Sequence, residues 1–479
     1  MFGSNKELRV FSSLTDGISR QIDGASSAVS GLFFEPVLRL GVTGLSRAGK
    51  TVFITALVAN LLDRGRMPQL RAQAQGRIEA VYLQPQPDDT LPRFAYEDHL
   101  AALTGDDPRW PQSTRAISEL RLSFRVKPEG MIGALTGPRV IHVDIVDYPG
   151  EWLLDLALLD KSYAAWSETT LQRIARRPEA AEYLATARAE DGALRLEEPR
   201  AQALAGLYTA YLQAARAAGW SDCTPGRFLL PGDLAGSPVL TFAPLPQPGS
   251  TPRGSLWREM ERRYDAYKSR VVQPFFREHF ARIDRQIVLV DVLEAIHQGP
   301  QALEDLRRTM AEVLAAFRPG RSRFLSSILG GKRVEKILFA ATKADHLHHT
   351  QHPQLAAIMQ AMLGEAKARA DFAGAATAAM SMASLRATVE ETLTRDGETV
   401  EAVRGRLLST GKQAAMYPGE LPRDPARLLS PAREGAQKWL DADFALMGFA
   451  PARSSLKPGE GPPHIRLDRA AEFLIGDKL

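Results

Sequence analysis

The hydrophobic positions of the chain form short β-type runs separated by segments with helical character. Apolar or β-branched residues dominate 37–43 (VLRLGVT), 287–292 (IVLVDV) and 337–342 (ILFAAT), and each run has the length of a buried strand. The segment 50–62 (KTVFITALVANLL) is apolar over several turns and predicts a buried helix. Strands that alternate with helices in this way predict an α/β fold with a mostly parallel sheet.

A second pattern predicts two strands that pair antiparallel. Residues 117–126 (ISELRLSFRV) alternate between apolar and polar positions, and 140–147 (VIHVDIVD) are rich in β-branched side chains. The stretch KPEGMIGALTGPR joins them as a turn. A further strand is predicted at 77–84 (RIEAVYLQ), in the connection that follows the first helix. The predicted sheet is therefore mixed but mostly parallel, with helices on its faces.

Changes in composition predict four segments. We expect an N-terminal helical segment at 1–36, either packed on the body or lying on a membrane surface, and a core formed by 37–151 and 285–390. Residues 152–284 are rich in Ala, Glu and Arg and predict a large helical insertion into that core. Residues 391–479 contain eight prolines and predict a small C-terminal extension packed on the core.

Charge and cysteine content narrow the choice of function. The 60 basic and 56 acidic residues give a net charge of only +4, which argues against a nucleic-acid partner. The single cysteine, Cys223, excludes an internal disulfide and a cysteine-based zinc site. We find no transmembrane segment and no secretory signal pattern, so a cytoplasmic protein is expected.

The run GLSRAGKT at 44–51 lies between the first predicted strand and helix, and it fits the phosphate-binding pattern G-x-x-x-x-G-K-[ST]. The two glycines let backbone N–H groups turn toward phosphate oxygens, Lys50 reaches the outer phosphates, and the Thr51 hydroxyl suits Mg²⁺. The alternative is a glycine-rich turn that binds nothing. The predicted nucleotide contacts of this loop are Gly44, Ser46, Arg47, Ala48, Gly49, Lys50, Thr51 and Val52.

The run DYPG follows the second strand of the antiparallel pair. Asp147 ends that strand and can hold Mg²⁺ through water, and the N–H of Gly150 can sense a terminal phosphate. Asp144 lies on the same strand but points the opposite way, because the spacing is odd on an element of period two. Asp147 is therefore the predicted metal residue.

The strand 337–342 is followed by a motif that favours guanine. The motif is Thr342-Lys343-Ala344-Asp345, and its first residue is the last of the strand. The carboxylate of Asp345 can accept hydrogen bonds from the guanine N1–H and exocyclic amine. Adenine presents no such pair of donors on that edge. The stem of Lys343 can lie along the base. The alternative is an ordinary strand end followed by a polar helix start.

Together, GLSRAGKT, DYPG and TKAD resemble the phosphate loop, the magnesium motif and the base motif of the Ras-like GTPases. Those proteins more often have Asn at the place of Thr342. The longer runs DYPGEWLLDL, VVQPFFREHFARIDRQIVLVDVLEA and ATKADHLHH resemble the YcjX family of bacterial stress-associated GTPases. The resemblance implies a P-loop GTPase core with helical insertions, GTP or GDP with Mg²⁺ as ligands, and a link to envelope stress.

The resemblance also implies further site residues. Thr114 would bind the γ-phosphate and Mg²⁺ as the switch threonine, with Ser113 as its alternative, or it is an ordinary hydroxyl at the start of a strand. Ala383 and Ser384 would form the loop beneath the guanine carbonyl, and a plain strand end is the equal alternative. Glu151 occupies the place where Ras-like proteins often keep a water-orienting Gln. It is either catalytic or an ordinary acidic helix start.

Arg47 is unusual in a phosphate loop, where most positions are small. GLSRAGKT resembles G-L-x-R-x-G-K-[ST] of dynamin-type guanylate-binding GTPases, in which this arginine can act as an internal finger. Such a finger would engage once a homodimer or partner fixes the switches. The alternative is a surface arginine in an ion pair. The predicted catalytic residues are Arg47, Lys50, Thr114 and Glu151.

Two further patterns stay open. His346, His348, His349 and His352 follow TKAD, and a metal site there is less favoured than a polar loop, since the local sequence offers no carboxylate besides Asp345. The basic and apolar stretch 318–333 could contact an acidic membrane or a partner, or pack on the core.

We therefore expect a slow, Mg²⁺-dependent GTPase switch that acts with a membrane-bound protein partner at the inner membrane. The alternatives are a nucleotide-binding scaffold that barely hydrolyses and recruits a partner through its helical insertion, or an ATPase, which the carboxylate in TKAD disfavours.

Overall fold

The computed structural model describes residues 35–44, 48–112, 116–129, 137–316, 334–372, 375–395, 397–439, 443–453 and 456–479. Its strands form one large and one small sheet. The large sheet consists of β1 (Val37–Gly44), β2 (Ile78–Gln84), β3 (Ser118–Val126), β4 (Arg139–Asp147), β5 (Arg285–Val290), β6 (Lys336–Ala341) and β7 (Ala376–Ser381). The small sheet consists of β8 (Thr388–Arg395), β9 (Glu398–Arg406) and β10 (Gln413–Met416).

The large sheet has the strand order β2-β3-β4-β1-β5-β6-β7. β1 pairs parallel with β4 and β5, and β5, β6 and β7 continue the parallel part. β3 pairs antiparallel with β4 and with β2 at the edge. The predicted mixed, mostly parallel sheet of an α/β fold is thus confirmed, and the strand predicted at 77–84 joins this sheet as its edge.

The helices connect these strands and build the segment between β4 and β5. They are α1 (Lys50–Leu62), α2 (Arg71–Ala74), α3 (Tyr96–Thr104), α4 (Gly150–Leu154), α5 (Tyr163–Ile174), α6 (Ala181–Ala189), α7 (Glu198–Ala217), α8 (Gly226–Leu229), α9 (Leu256–Tyr267), α10 (Gln273–Glu278), α11 (Val292–Gln298), α12 (Pro300–Ala316), α13 (His352–Phe372), α14 (Ala426–Arg433) and α15 (Leu467–Ala471).

Helices cover both faces of the sheet, which explains the apolar character of its central strands. One core contains α1 together with inward side chains of β1, β3, β4 and β5. The chain returns to this core at its C-terminal end, where Leu467, Leu474 and Leu479 are buried. The opposite face of β5 and β6 packs against α11, α12 and α13.

The segment between β4 and β5 is helical, as its composition predicted, and it has a core of its own. Trp166 stacks on Tyr264 with ring centroids 4.9 Å apart, and Phe242 packs edge-on against both rings. This core continues into the sheet through Val146 and Tyr148 at the end of β4. Aromatic packing of this kind holds the helical segment against the strand end where DYPG begins.

The small sheet lies next to the loop that follows β6. The Thr388 hydroxyl at the start of β8 donates a short hydrogen bond to the backbone carbonyl of Asp345. Met416 of β10 and Phe449 belong to a small apolar cluster between this sheet and the loop containing Trp110. Across the described residues, no helix is long and apolar enough to cross a membrane.

Candidate nucleotide-binding site

A cavity of about 390 Å³ opens at the carboxyl ends of the parallel strands. Ligands of open α/β sheets bind at this edge, because the loops that leave the strands converge there. The loops after β1, β4, β6 and β7 all reach the cavity. Its lining residues are Ala48, Gly49, Lys50, Thr51, Val52, Trp110, Pro111, Gln112, Glu151, Arg216, Thr342, Lys343, Asp345, His346, Ala383, Ser384, Leu385, Leu408, Gly448 and Phe449.

The phosphate-loop pattern leads directly into α1. Gly49 immediately precedes the helix with φ +83°, a left-handed conformation that favours glycine, and its carbonyl accepts from the N–H of Phe53 at 2.8 Å. Lys50 and Thr51 form the first turn and line the cavity. The N-terminus of α1 therefore points its backbone N–H groups and its positive dipole end at this space, which suits a phosphate.

The DYPG segment lies beside this loop. Asp147, the last residue of β4, is buried and pairs in register with Val42 of β1. A Cβ on Gly150 would lie 1.7 Å from the carbonyl oxygen of Gly44, so only glycine allows the two backbones to approach so closely. The neighbouring Asp144 is fully buried and forms a bidentate ion pair with Arg121 at 2.6 and 2.8 Å.

The donor chemistry here fits Mg²⁺. That ion prefers oxygen ligands and commonly combines one or two protein groups with waters and phosphate oxygens. Thr51 offers a hydroxyl at the start of α1, and Asp147 offers a carboxylate at the end of the adjacent strand. Both side chains are buried, so an ion between them and a phosphate would be shielded from bulk water.

The base motif is fixed by contacts within the sheet core. Thr342 donates from its backbone N–H to the carbonyl of Val290 at 2.9 Å, and its hydroxyl donates to the same oxygen. Lys343 adopts a left-handed backbone with φ +58°, which is uncommon for a residue with a side chain. Such strained conformations cluster at binding sites, where neighbouring contacts hold them.

Ion pairing holds the side chain of Lys343 along the cavity wall. Its ammonium contacts the carboxylate of Asp291 directly after β5. Burial acts to lower the pKa of Lys343, but the Asp291 carboxylate outweighs it, and the pKa is raised. The lysine therefore stays charged while its aliphatic stem lines the pocket.

Asp345 is buried at the cavity wall, and one of its carboxylate oxygens accepts from the N–H of Ala387 at 2.8 Å. This bond sets the orientation of the carboxylate. Burial lowers the pKa of the adjacent His346, although Asp345 opposes the change, so the imidazole is favoured in its neutral form.

The loop after β7 closes the same wall. Ala383 donates from its N–H to the carbonyl of Ile465 at 3.1 Å, and Ile465 returns the bond at 2.8 Å. The amide of Ala383 is thus occupied by the C-terminal segment, whereas Ser384 and Leu385 follow on the cavity surface. Contacts from this loop to a base carbonyl would come from the latter two amides.

Glu151 and Arg216 form a contact that the sequence did not predict. Glu151 is nearly buried in α4, and its carboxylate pairs with the guanidinium of Arg216 at 2.6 Å. Arg216 belongs to α7 of the helical segment, and both side chains line the cavity. A sequence separation of this size leaves no local pattern, and only the docking of α7 against α4 reveals the pair.

Several other lining residues were also missed. Trp110, Leu408 and Phe449 come from three distant parts of the chain and supply an apolar wall. The Trp110 indole N–H donates to the backbone carbonyl of Phe449 at 2.7 Å, which joins two of these parts. An aromatic residue in a loop carries no signal that separates such a wall from ordinary packing.

Four predicted residues lie outside the described residues. They are Ser46 and Arg47 in the phosphate loop and Ser113 and Thr114 before β3. The basic stretch 318–333 and the N-terminal segment up to residue 34 also lie outside them. The roles proposed for these residues stay predictions.

Comparisons with known proteins lead to one family. A family model described as the YcjX-like family matches residues 38–479. A protein of Escherichia coli (strain K12) named Ras-like GTPase YcjX is 39% identical over 457 residues, covering 92% of this chain and 96% of that protein. A protein of the same name from Shewanella oneidensis is 36% identical over 468 residues, covering 92% of this chain and 94% of that protein.

Proposed function

The chain belongs to the YcjX-like family, and from this premise and the geometry of the cavity we propose that it binds GTP and GDP together with Mg²⁺. The name of the two relatives, Ras-like GTPase, supports a nucleotide-binding role. The proposed binding residues are those predicted from the sequence, except in the loop after β7. There the amides of Ser384 and Leu385 would face the base, because the amide of Ala383 is bonded to Ile465. The nucleotide phosphates would lie on the N-terminus of α1, and the base would lie between the loops after β6 and β7.

The observation that carries the choice of guanine is the position of Asp345. Its carboxylate lies on the cavity wall and is held by the N–H of Ala387 at 2.8 Å. A preoriented carboxylate accepts hydrogen bonds from the two N–H donors on the guanine edge. An adenine base would place an acceptor nitrogen there and leave the buried carboxylate badly matched, which costs binding energy.

On the phosphate side, Lys50 would neutralise the outer phosphates, and Thr51 and Asp147 would hold Mg²⁺, the latter through water. Bound Mg²⁺ supplies charge neutralisation to the phosphates and the transferring phosphoryl group. The residues of this chain provide the oxygen donors and the amide-lined loop that keep the ion and the nucleotide in one orientation.

We further propose slow hydrolysis of GTP, with Arg47, Thr114 and Glu151 as the catalytic candidates beside Lys50. The ion pair of Glu151 with Arg216 supports a second role for Glu151: it would hold Arg216 in place until a terminal phosphate binds. Arg216 neutralises the Glu151 carboxylate near the phosphate side, and it can turn to a terminal phosphate when one is bound. In this way the presence of a γ-phosphate would be sensed by the helical segment.

Titration with fluorescent GDP and ADP analogues in the presence of Mg²⁺ tests the base preference. We expect GDP to bind much more tightly than ADP, and Asp345→Asn to lose most of this difference. The exchange keeps an oxygen that can accept from Ala387, so folding is retained. Asp424→Asn is the matched control, because Asp424 is exposed and also accepts from a backbone N–H, that of Ala426. Equal affinities of the wild type for GDP and ADP would reject guanine selectivity.

A role near the inner membrane is proposed from the family resemblance alone. We expect the chain to associate with a membrane-bound protein under envelope stress. Fractionation of cells that express it at native level, combined with pull-down from solubilised membranes, measures this association. A protein found entirely in the cytosol under stress, without a membrane-protein partner, would contradict the expectation.

A further inference from the structure

Two histidines and two glutamates converge beside the base motif, and we call them the His–Glu cluster: His348, His349, Glu390 and Glu401. The histidines follow TKAD in the loop before α13, and the glutamates lie on β8 and β9. The sequence favoured a polar loop here because no carboxylate partner lay nearby in the chain. The fold supplies two such partners from the small sheet.

Ligand atoms of His348, His349 and Glu390 all lie within 4.8 Å of one another, close enough to share one ion, and Glu401 contacts His348 at the edge of this group. Nδ1 of His349 is 2.9 Å from Oε2 of Glu390, and Nε2 of His348 is 3.7 Å from the same oxygen. Nε2 of His348 is also 3.2 Å from Oε2 of Glu401. Ligands about 2 Å from a tetrahedral ion are separated by somewhat more than 3 Å, so His348, His349 and Glu390 need little adjustment, whereas Glu401 would have to turn toward the ion to become a fourth ligand.

A hydrogen bond outside the cluster orients His348. Its Nδ1 is 3.0 Å from the hydroxyl of Thr350, which leaves Nε2 directed at the two carboxylates. Metal-binding histidines commonly use their second ring nitrogen in such a bond. The ring is largely buried, whereas His349 is mostly exposed, so an ion has a fixed inner ligand and an open route of access.

We propose that the His–Glu cluster binds one Zn²⁺ ion. Imidazole nitrogens and carboxylate oxygens in a tetrahedral set suit Zn²⁺, whereas Mg²⁺ prefers six oxygen ligands and keeps most of its waters. This site is separate from the proposed Mg²⁺ donors Thr51 and Asp147.

The ion would act as a structural clamp. It would link the loop that carries Asp345 to β8 and β9, which already contact this loop through Ala387 and Thr388. An ion that binds only the folded state stabilises that state, and here its bonds to protein ligands would join elements that are distant in sequence. The base-binding loop and the small sheet would therefore unfold at a higher temperature with Zn²⁺ than without it.

Calorimetric titration of the full chain, free of any histidine tag, tests the site. Excess Mg²⁺ is present throughout, so that Zn²⁺ does not occupy the proposed Mg²⁺ donors, and no free nucleotide is added, because its phosphates would bind Zn²⁺ themselves. We expect one Zn²⁺ per chain, and His349→Ala and Glu401→Gln should each weaken binding by at least about tenfold, as loss of metal-site contacts does. His297→Ala removes an exposed histidine outside the cluster and should leave the affinity unchanged.

Thermal unfolding checks that each variant is folded and tests the clamp. Zn²⁺ should raise the midpoint temperature of unfolding of the wild type and of His297→Ala. The rise should be much smaller for His349→Ala and Glu401→Gln. Co²⁺ should give the visible absorption of a tetrahedral complex only when the cluster is intact. Absence of Zn²⁺ binding by folded wild type, or equal Zn²⁺ affinity in wild type and both cluster variants, would overturn the proposal.

Discussion

The proposed base side and the proposed phosphate side of the cavity are held in different ways. On the base side, Lys343 pairs with Asp291 and Asp345 accepts from Ala387, so the fixing contacts come from the sheet core and the adjoining small sheet. On the phosphate side, Glu151 of α4 pairs with Arg216 of α7, which belongs to the helical segment. The base side is thus shaped before a ligand binds, whereas the phosphate side depends on how the helical segment docks.

This difference assigns different tasks to the two sides. A preorganised base pocket selects the nucleotide at little conformational cost. A phosphate side that includes a charge pair between two parts of the chain would respond to added negative charge, because a terminal phosphate would compete with Glu151 for Arg216. A ligand shifts a conformational equilibrium only through contacts that differ between the two states, and we propose this ion pair as such a contact.

The largest effect is expected when the phosphate side loses its main cation. Lys50→Ala should weaken GDP and GTP binding by about 3 kcal/mol, or roughly 150-fold, because a charged hydrogen bond to phosphate is lost. The ratio of the GDP and ADP affinities should stay unchanged, because Lys50 would contact phosphates that both nucleotides carry. Titration with fluorescent nucleotides measures the change.

Lys127→Ala serves as the control for this exchange, since that lysine lies just past the end of β3, is exposed and pairs with Glu79. Its affinity for GDP should equal that of the wild type. A Lys50→Ala variant that binds GDP as tightly as the wild type would show that the phosphates do not lie on α1.

A smaller and more selective effect is expected at the contact between core and helical segment. Arg216→Ala should weaken binding of a non-hydrolysable GTP analogue by about 2 kcal/mol, or roughly 30-fold, because Glu151 is left unpaired facing the γ-phosphate. GDP binding should change little. The ratio of the two affinities is therefore the informative measurement.

Two variants sharpen this test. Arg216→Lys keeps the positive charge and should restore much of the preference for the triphosphate, while Arg188→Ala removes an exposed arginine from the last turn of α6 and should have no effect. If Arg216→Ala weakens GDP and the GTP analogue equally, the residue supports the fold and does not sense the γ-phosphate.

The two sides also differ in how well the sequence predicted them. Strand periodicity, the glycine pattern and the order of the motifs predicted the sheet, the helix Lys50–Leu62 and the ends of strands that carry Asp147 and Asp345. These features depend on neighbours in the chain or on alternation within a strand. The elements of the core were therefore accessible without a structure.

What the sequence left out depends on tertiary contacts. Arg216, Trp110 and Phe449 reach the cavity from segments without a nucleotide motif, and Glu390 joins the histidines only because β8 turns beside them. Short sequence patterns report local conformation, whereas the docking of a helix or a small sheet is decided by side chains spread over the whole chain. The division of the chain at residues 151, 285 and 390 stays a prediction.

The smallest effect is expected at Asp155, which directly follows α4 and hydrogen-bonds two other parts of the helical segment. Asp155 is fully buried, and its carboxylate accepts from the Tyr267 hydroxyl at 2.5 Å and from the N–H of Gly226 at 2.8 Å. Burial raises the pKa of Asp155 to about 7, although these hydrogen bonds oppose the change. The folded state therefore binds this proton more tightly than the unfolded chain, whose aspartates titrate near about 3.9.

The sign of the pH dependence follows from that difference. The stabilisation is complete below the ordinary aspartate pKa and is lost as the pH rises through about 7, when a charge must form in the buried site. Between pH 6 and 8 the free energy of unfolding should fall by the equivalent of about one pKa unit, or about 1.4 kcal/mol. Asp155→Asn cannot ionise and should not show this loss.

Denaturant unfolding of the wild type and Asp155→Asn at several pH values measures the effect, with the exposed Asp160→Asn as control. Hydrogen exchange should place the change at pH 8 in α4 and the adjoining helices, because Gly226 and Tyr267, which hydrogen-bond Asp155, both lie in the helical segment, and should leave the loop around Asp345 protected. Equal pH profiles for wild type and Asp155→Asn would refute the buried proton. An equal loss of protection at the base side and at the phosphate side would contradict the comparison. In that case the sheet core would not hold the base side independently of the docking of the helical segment.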